Sequence, residues 1–202
     1  MKKPAPPCLV AIGSSAGGPP ALAILLRGLP RSFPAAIVIV QHIDGRMAAG
    51  MAEWLGLQCA LPVRVAVEGD QPTGGQVLIA ATSDHIVLKS ADRLGYTSEP
   101  RELVYRPSVD VFFQSVRKRW RASAVGVLLS GMGRDGAVGL KALREHGCHT
   151  IAQDEASSAV YGMPKAAAAI SAAVDVLPMD RIAERLVAVC GSATIKRAKG
   201  HE

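Results

Sequence analysis

Aromatic side chains are scarce in this 202-residue chain: Phe, Tyr and Trp together make up 4% of it. A base-stacking platform for nucleic acid needs several on one face, so nucleic-acid binding is not expected despite a net charge of +6. The core must be filled by Ala, Val, Leu and Ile, within a hydrophobic content of 49% that suits one domain of ordinary to large size. The four cysteines, Cys8, Cys59, Cys148 and Cys190, lie far apart, with no C-x-x-C pair and no Cys/His metal spacing. They read as small buried hydrophobes of a reducing compartment. No apolar run reaches membrane-span length. The charged start, Met1-Lys2-Lys3-Pro4, leads into no signal-peptide core or cleavage site. These absences point to a cytoplasmic globular protein without membrane insertion, metal or organic cofactor. The cation excess, 23 Lys and Arg against 17 Asp and Glu, favours an acidic partner without specifying one.

What is present is organised around Val10-Ala11-Ile12-Gly13-Ser14-Ser15-Ala16-Gly17-Gly18-Pro19-Pro20. An apolar run stops at Gly13, two serines and two glycines follow, and Pro19-Pro20 with Ala21 to Leu26 starts a helix. Strand, tight turn and helix in that order place a turn residue at a sheet edge beside unsatisfied helical N–H groups. Gly13-x-Ser15-x-Gly17 fits a nucleophile elbow; a phosphate-cradling loop and a plain tight turn fit the same stretch. Ser15 is the nucleophile candidate because both glycines flank it, which leaves Ser14 as a strand-end residue.

After a strand at 8–13 and a helix at 19–28, the β-branched run 35–40 reads as a strand buried on both faces, ending in Gln41-His42. A helix follows over 46–57. Residues 63–97 alternate short apolar runs with turn residues, as in short strands joined by hairpin-like turns. Pro107 is expected to open a helix at its first turn, with Val109, Val111, Phe112, Val116 and Trp120 as its apolar stripe. The run 124–129 is another buried strand. It ends in Ser130-Gly131-Met132-Gly133-Arg134-Asp135-Gly136 before a helix to about Glu145. Short strands at 150–152 and 174–177, a helix from Pro164 and a helix over 179–189 complete the pattern. The alternation argues for α/β architecture: a doubly wound, mainly parallel sheet with helices on both faces and a small antiparallel edge section. The expected organisation is a lead-in at 1–7, one domain at 8–190, and a polar basic tail at 191–202, of which 195–202 is expected to fray.

In such sheets, ligands bind beyond the carboxyl ends of the strands. Ser15, His42 and Asp135 all fall at such positions. A serine needs a histidine to take its proton, and the histidine needs a carboxylate to hold its tautomer. The order Ser–His–Asp differs from the α/β-hydrolase order, so a different fold is expected. His85, His146 and His149 are weaker candidates; His146 suits a helix end and His149 a strand start. Arg106 and Arg134 offer cations to an anionic substrate, and each equally suits a solvated surface.

Six motifs, in this order, resemble the catalytic domain of the chemotaxis protein-glutamate methylesterases, the CheB family. They are Ala11 to Gly18, Val40-Gln41-His42, Arg106-Pro107-Ser108-Val109-Asp110-Val111, Leu129 to Ala137, Ile151 to Ser158 and Tyr161-Gly162-Met163-Pro164. The resemblance runs from about residue 8 to about 190. It implies a doubly wound α/β domain and hydrolysis of glutamate γ-methyl esters on the cytoplasmic helices of chemoreceptors, with methanol released. It further implies deamidation of certain receptor glutamines. Ser15 then matches the nucleophile, His42 the general base and Asp135 the orienting carboxylate, with the oxyanion region at Ala16 and the Met132 turn. The sequence departs from the family pattern at Ala16, where Thr is usual, and at Ile43-Asp44-Gly45-Arg46-Met47-Ala48, where Met-Pro-Pro-x-Phe-Thr is common. The family's N-terminal phospho-receiver domain is not expected within residues 1–7.

Three other functions fit parts of the chain. A receptor-binding module of the same fold needs no chemistry, and an esterase acting on another substrate would suit the altered 43–48 loop. A nucleotide-binding domain would use Gly13–Gly18, although the turn lacks the Lys-Ser/Thr ending of a P-loop.

Overall fold

A computed structural model describes residues 6–199, with side chains described through residue 191. Its centre is a seven-stranded sheet in the order β3-β4-β2-β1-β7-β8-β9, parallel throughout. The strands are β1 (Leu9–Ser14), β2 (Ala36–Gln41), β3 (Val63–Val65), β4 (Val77–Ile79), β7 (Ala124–Leu128), β8 (His149–Gln153) and β9 (Asp175–Leu177). A separate antiparallel pair, β5 (His85–Leu88) and β6 (Leu94–Thr97), forms the small second sheet.

Side chains that alternate along β1 explain the layering. Val10 and Ile12 face one core, with α1 (Gly18–Arg27), α2 (Ala48–Gly56) and α6 (Met179–Lys199) packed over it. Leu9 and Ala11 face the other, covered by α3 (Val109–Arg119), α4 (Ala137–Glu145), α5 (Met163–Ala169) and the β5–β6 hairpin. Both faces of β1 and β2 are therefore buried, which is why these strands read as continuous apolar runs rather than alternating ones.

Several boundaries differ from the sequence expectation. Strands β3 and β4 belong to the main parallel sheet, not to a hairpin; only β5 and β6 pair antiparallel. The 66–76 segment is long enough, at about a dozen residues, to cross over rather than turn back. Helix α3 begins at Val109, because Ser108 is its N-cap and accepts the Val111 N–H at 3.3 Å; Pro107 lies outside the helix. The expected fraying tail is helical through Lys199. Residues 1–5 of the lead-in and 200–202 of the tail lie outside the described residues.

The sheet changes winding direction beside β1: β2 lies on one side and β7 on the other. Such a switch point is where ligands bind beyond the carboxyl ends of the strands.

Candidate active site

Ser15 and His42 leave neighbouring strand ends side by side. The β1–β2 register pairs Ser14 with Gln41, and the His42 N–H donates to the Ser14 carbonyl at 3.0 Å. Gln41 fastens the junction. Its Oε1 accepts the Ser14 hydroxyl at 2.7 Å, and its Nε2 donates to the carbonyls of Ser15, at 2.8 Å, and His42, at 3.3 Å. The two serines are thereby distinguished. Ser14 is fully buried with its hydroxyl committed to Gln41. Ser15 is half-buried, and among the described residues its hydroxyl has no hydrogen-bond partner.

The turn after Ser15 is clamped from the β7 side. Ser15 N–H donates to the Ser130 carbonyl at 3.0 Å. The Ser130 hydroxyl donates to the Ala16 carbonyl at 2.8 Å and accepts the Val160 N–H at 2.9 Å. Gly17 turns the chain into α1 at φ 76°, where a Cβ would also stand 2.6 Å from that of Ala159. At Gly131 a Cβ would lie 2.8 Å from the Ser15 Cβ, so the absence of a side chain there lets the two turns close together. Helix α1 opens with Gly18-Pro19-Pro20, and two prolines remove two of the N–H groups a phosphate cradle would use. Among the described residues, the backbone N–H groups of Ala16 and Met132 find no acceptor, and both residues are exposed.

Asp135 is brought to His42 by the turn between β7 and α4. Its Oδ2 accepts from His42 Nε2 at 2.8 Å and from Val109 N–H at 2.7 Å. Its Oδ1 accepts from the Ser108 hydroxyl at 2.8 Å and Asp110 N–H at 3.1 Å. The carboxylate thus caps the N-terminus of α3, where the helix dipole also favours negative charge. Burial pushes this carboxyl up, but the hydrogen bonds from His42, Val109, Asp110 and Ser108 outweigh it and hold it below the ordinary carboxylate range.

An ionised carboxylate only accepts hydrogen bonds, so Nε2 of His42 carries the ring proton and Nδ1 presents its lone pair. That Nδ1 is buried with no partner, while the side chain as a whole is 8% exposed. The ring is used the opposite way round from the serine-protease template, in which Nδ1 faces the carboxylate. Tyr105 lies flat against it, with ring centroids 4.4 Å apart. Beside Asp135 a cleft of about 320 Å³ is lined by Leu103, Val104, Tyr105, Arg134 and Val138. A larger cavity, about 580 Å³, lies around Trp120, Ala124 and Cys148; His146 and His149 line it, but Ser15, His42 and Asp135 do not.

The weaker candidates have other roles. His85 is fully buried; its Nδ1 accepts the Ser108 N–H at 3.0 Å, so its Nε2 carries the proton donated to the Pro100 carbonyl at 3.0 Å. His149 bonds Asp175 at 2.7 Å, and His146 is the C-cap of α4. Arg106 pairs with Asp84 at 3.0 Å, whereas Arg134 is exposed on the cleft. Among the described residues, no cluster of three His, Cys, Asp or Glu is placed to hold a metal ion. Cys8 and Cys190 are buried; Cys59 and Cys148 are half-buried. Sequence reasoning gave no role to Gln41, Ser130 or Tyr105. Ser108 was accessible as an N-cap signal, a serine followed by an acidic residue in the first helical turn.

A family model described as CheB methylesterase matches residues 10–186. The chain is 63% identical over 184 residues to the protein-glutamate methylesterase/protein-glutamine glutaminase 1 of Cupriavidus pinatubonensis, covering 91% of this chain and 54% of that protein. It is 65% identical over 178 residues to the protein-glutamate methylesterase/protein-glutamine glutaminase of group 3 operon of Pseudomonas putida, covering 88% and 53%. The chain spans about half the length of the curated relatives it matches. The crystal structure of the Thermotoga maritima CheB methylesterase catalytic domain superposes with a TM-score of 0.86 at 32% identity, covering 91% of this chain and 98% of that one.

Proposed function

The chain belongs to the CheB methylesterase family, and on that premise we propose that it is a serine hydrolase that removes methyl esters from glutamate side chains of chemoreceptors. Deamidation of receptor glutamines follows the same route, with ammonia in place of methanol. The substrate segments are the cytoplasmic helices of methyl-accepting receptors, residues 8–190 form the catalytic unit, and the enzyme works in the cytoplasm. The observation that carries this reading is the bond of His42 Nε2 to an ionised Asp135, which leaves Nδ1 buried and, among the described residues, unpartnered, on the residue that the strand register sets next to Ser15.

In this mechanism Nδ1 of His42 takes the Ser15 proton as Oγ attacks the ester carbonyl carbon. The tetrahedral oxyanion is received by the free N–H groups of Ala16 and Met132. Asp135 offsets the charge of the imidazolium, which then protonates the methoxy oxygen, and methanol leaves. Water, deprotonated by the same Nδ1, hydrolyses the glutamyl-Ser15 ester and restores the enzyme. Proton transfer of this kind contributes about 10²–10⁴-fold, and a single oxyanion donor about 10²–10³-fold.

Methanol release from methylated receptor membranes tests the proposal. The parent chain is expected to release methanol and the Ser15→Ala variant none above background. Equal release by both would exclude Ser15 as nucleophile.

A further inference from the structure

The bond to Asp135 fixes one point of the His42 ring but not its plane. The imidazole can still turn about its Cβ–Cγ bond, which runs nearly in line with Nε2, and such a turn re-aims Nδ1 while moving Nε2 little. Among the described residues, nothing hydrogen-bonds to Nδ1 to prevent it. The second restraint is Tyr105, whose ring stacks on the imidazole with centroids 4.4 Å apart and planes 3° from parallel. Tyr105 is half-buried, and among the described residues its hydroxyl makes no hydrogen bond. That hydroxyl instead abuts the turn after Met132, where a Cβ on Gly133 would lie 3.0 Å from it. The chain enters α3 just after Tyr105, so the segment that carries the ring also supplies the Ser108, Val109 and Asp110 donors to Asp135.

We propose that Tyr105 is a positioning residue for His42. Its face holds the imidazole plane in the one orientation that keeps Nε2 on Asp135 and Nδ1 open to Ser15. The same face favours the ring when it becomes positive, since the π-cloud attracts a cation placed over it. The hydroxyl is not needed for either effect. This inference rests on the Ser15, His42 and Asp135 assignment above. An aromatic stack biases an orientation by about three- to tenfold, so its loss acts on kcat more than on KM, although Tyr105 also lines the cleft beside Asp135.

The test compares Tyr105→Leu and Tyr105→Phe with the parent and with Ser15→Ala in methanol release. Tyr105→Leu is expected to lower kcat about tenfold with a smaller change in KM, and Tyr105→Phe to restore most of the rate. In proton NMR the His42 Cε1–H signal is expected upfield of the exposed His146 signal in the parent and in Tyr105→Phe, and to move back towards it in Tyr105→Leu. If Tyr105→Leu does not fold, the parent and Tyr105→Phe spectra decide. A His42 signal at the His146 position overturns the proposal, as does a folded Tyr105→Leu with the parent kcat or a Tyr105→Phe as slow as Tyr105→Leu. A parent no faster than Ser15→Ala overturns the site assignment itself, and the role of Tyr105 with it.

Discussion

Replacing Asp135 with asparagine is the most informative single change, because all four atoms around the carboxylate are donors. Oδ1 receives Ser108 Oγ–H and Asp110 N–H; Oδ2 receives His42 Nε2–H and Val109 N–H. An amide offers one acceptor oxygen and one NH₂. With the NH₂ turned towards His42, it opposes the Val109 N–H and draws the ring proton to Nδ1, which then cannot accept from Ser15. With the NH₂ turned away, it opposes the Asp110 N–H, and His42 keeps its tautomer but loses the negative charge that steadies the imidazolium. Either way one buried backbone N–H is left unsatisfied, at a cost of about 1–3 kcal/mol. For a domain of this size that lowers Tm by about 2–12 °C. The rate is expected to fall about 10²-fold if only the charge is lost and about 10⁴-fold if the tautomer is wrong. Calorimetry and methanol release on the folded variant measure both. An Asp135→Asn variant with kcat within about tenfold of the parent and an unchanged Tm would refute the reasoning.

Ser108→Ala removes the N-cap of α3 and one of four donors to Asp135; an expected stability loss of about 1 kcal/mol in chemical denaturation should accompany a kcat loss smaller than that of Asp135→Asn. His85→Leu strands the buried Ser108 N–H and the Pro100 carbonyl, and at about 1–3 kcal/mol for each group it should lower Tm more than Ser108→Ala does. Asp110 behaves oppositely to Asp135: burial, opposed by the Gly139 N–H and reinforced by the Asp135 charge, holds its carboxyl above the ordinary range. Its ionised form therefore weakens the fold at neutral pH and does not below about pH 4, so Asp110→Asn should raise Tm at pH 7, with the gain vanishing on acidification towards pH 4.

The placement of Ser15, His42 and Asp135 was legible because each lies in the short stretch beyond an apolar run that sheet burial makes conspicuous, Asp135 in the glycine-rich turn after 124–129. Position after a strand is a property of sequence order, and parallel sheets gather such positions at one edge. The difference between Ser14 and Ser15 was legible only as a pattern; its physical basis, the Ser14–Gln41 bond, joins residues 27 apart. Strand direction at β3 and β4 was not legible, because alternation identifies a strand without saying which neighbour it joins. The reversed use of the imidazole and the Tyr105 stack could not be read at all, since both arise from side-chain geometry across separate elements.

The β5–β6 hairpin has the look of an appendage in sequence, yet it bears on His42. His85, at the start of β5, accepts the Ser108 N–H; Ser108 donates its hydroxyl to Asp135; Asp135 accepts from His42. This series of bonds runs from the small sheet, through the first residues of α3, to the imidazole. Parallel strand ends alone would bring Ser15 and His42 together but would leave the carboxylate exposed to water and free to move. The start of α3 is what buries and orients it, and His85 is what holds that start. The fold therefore divides the work: the main sheet sets Ser15 next to His42, and the hairpin with α3 fixes the carboxylate that orients the imidazole.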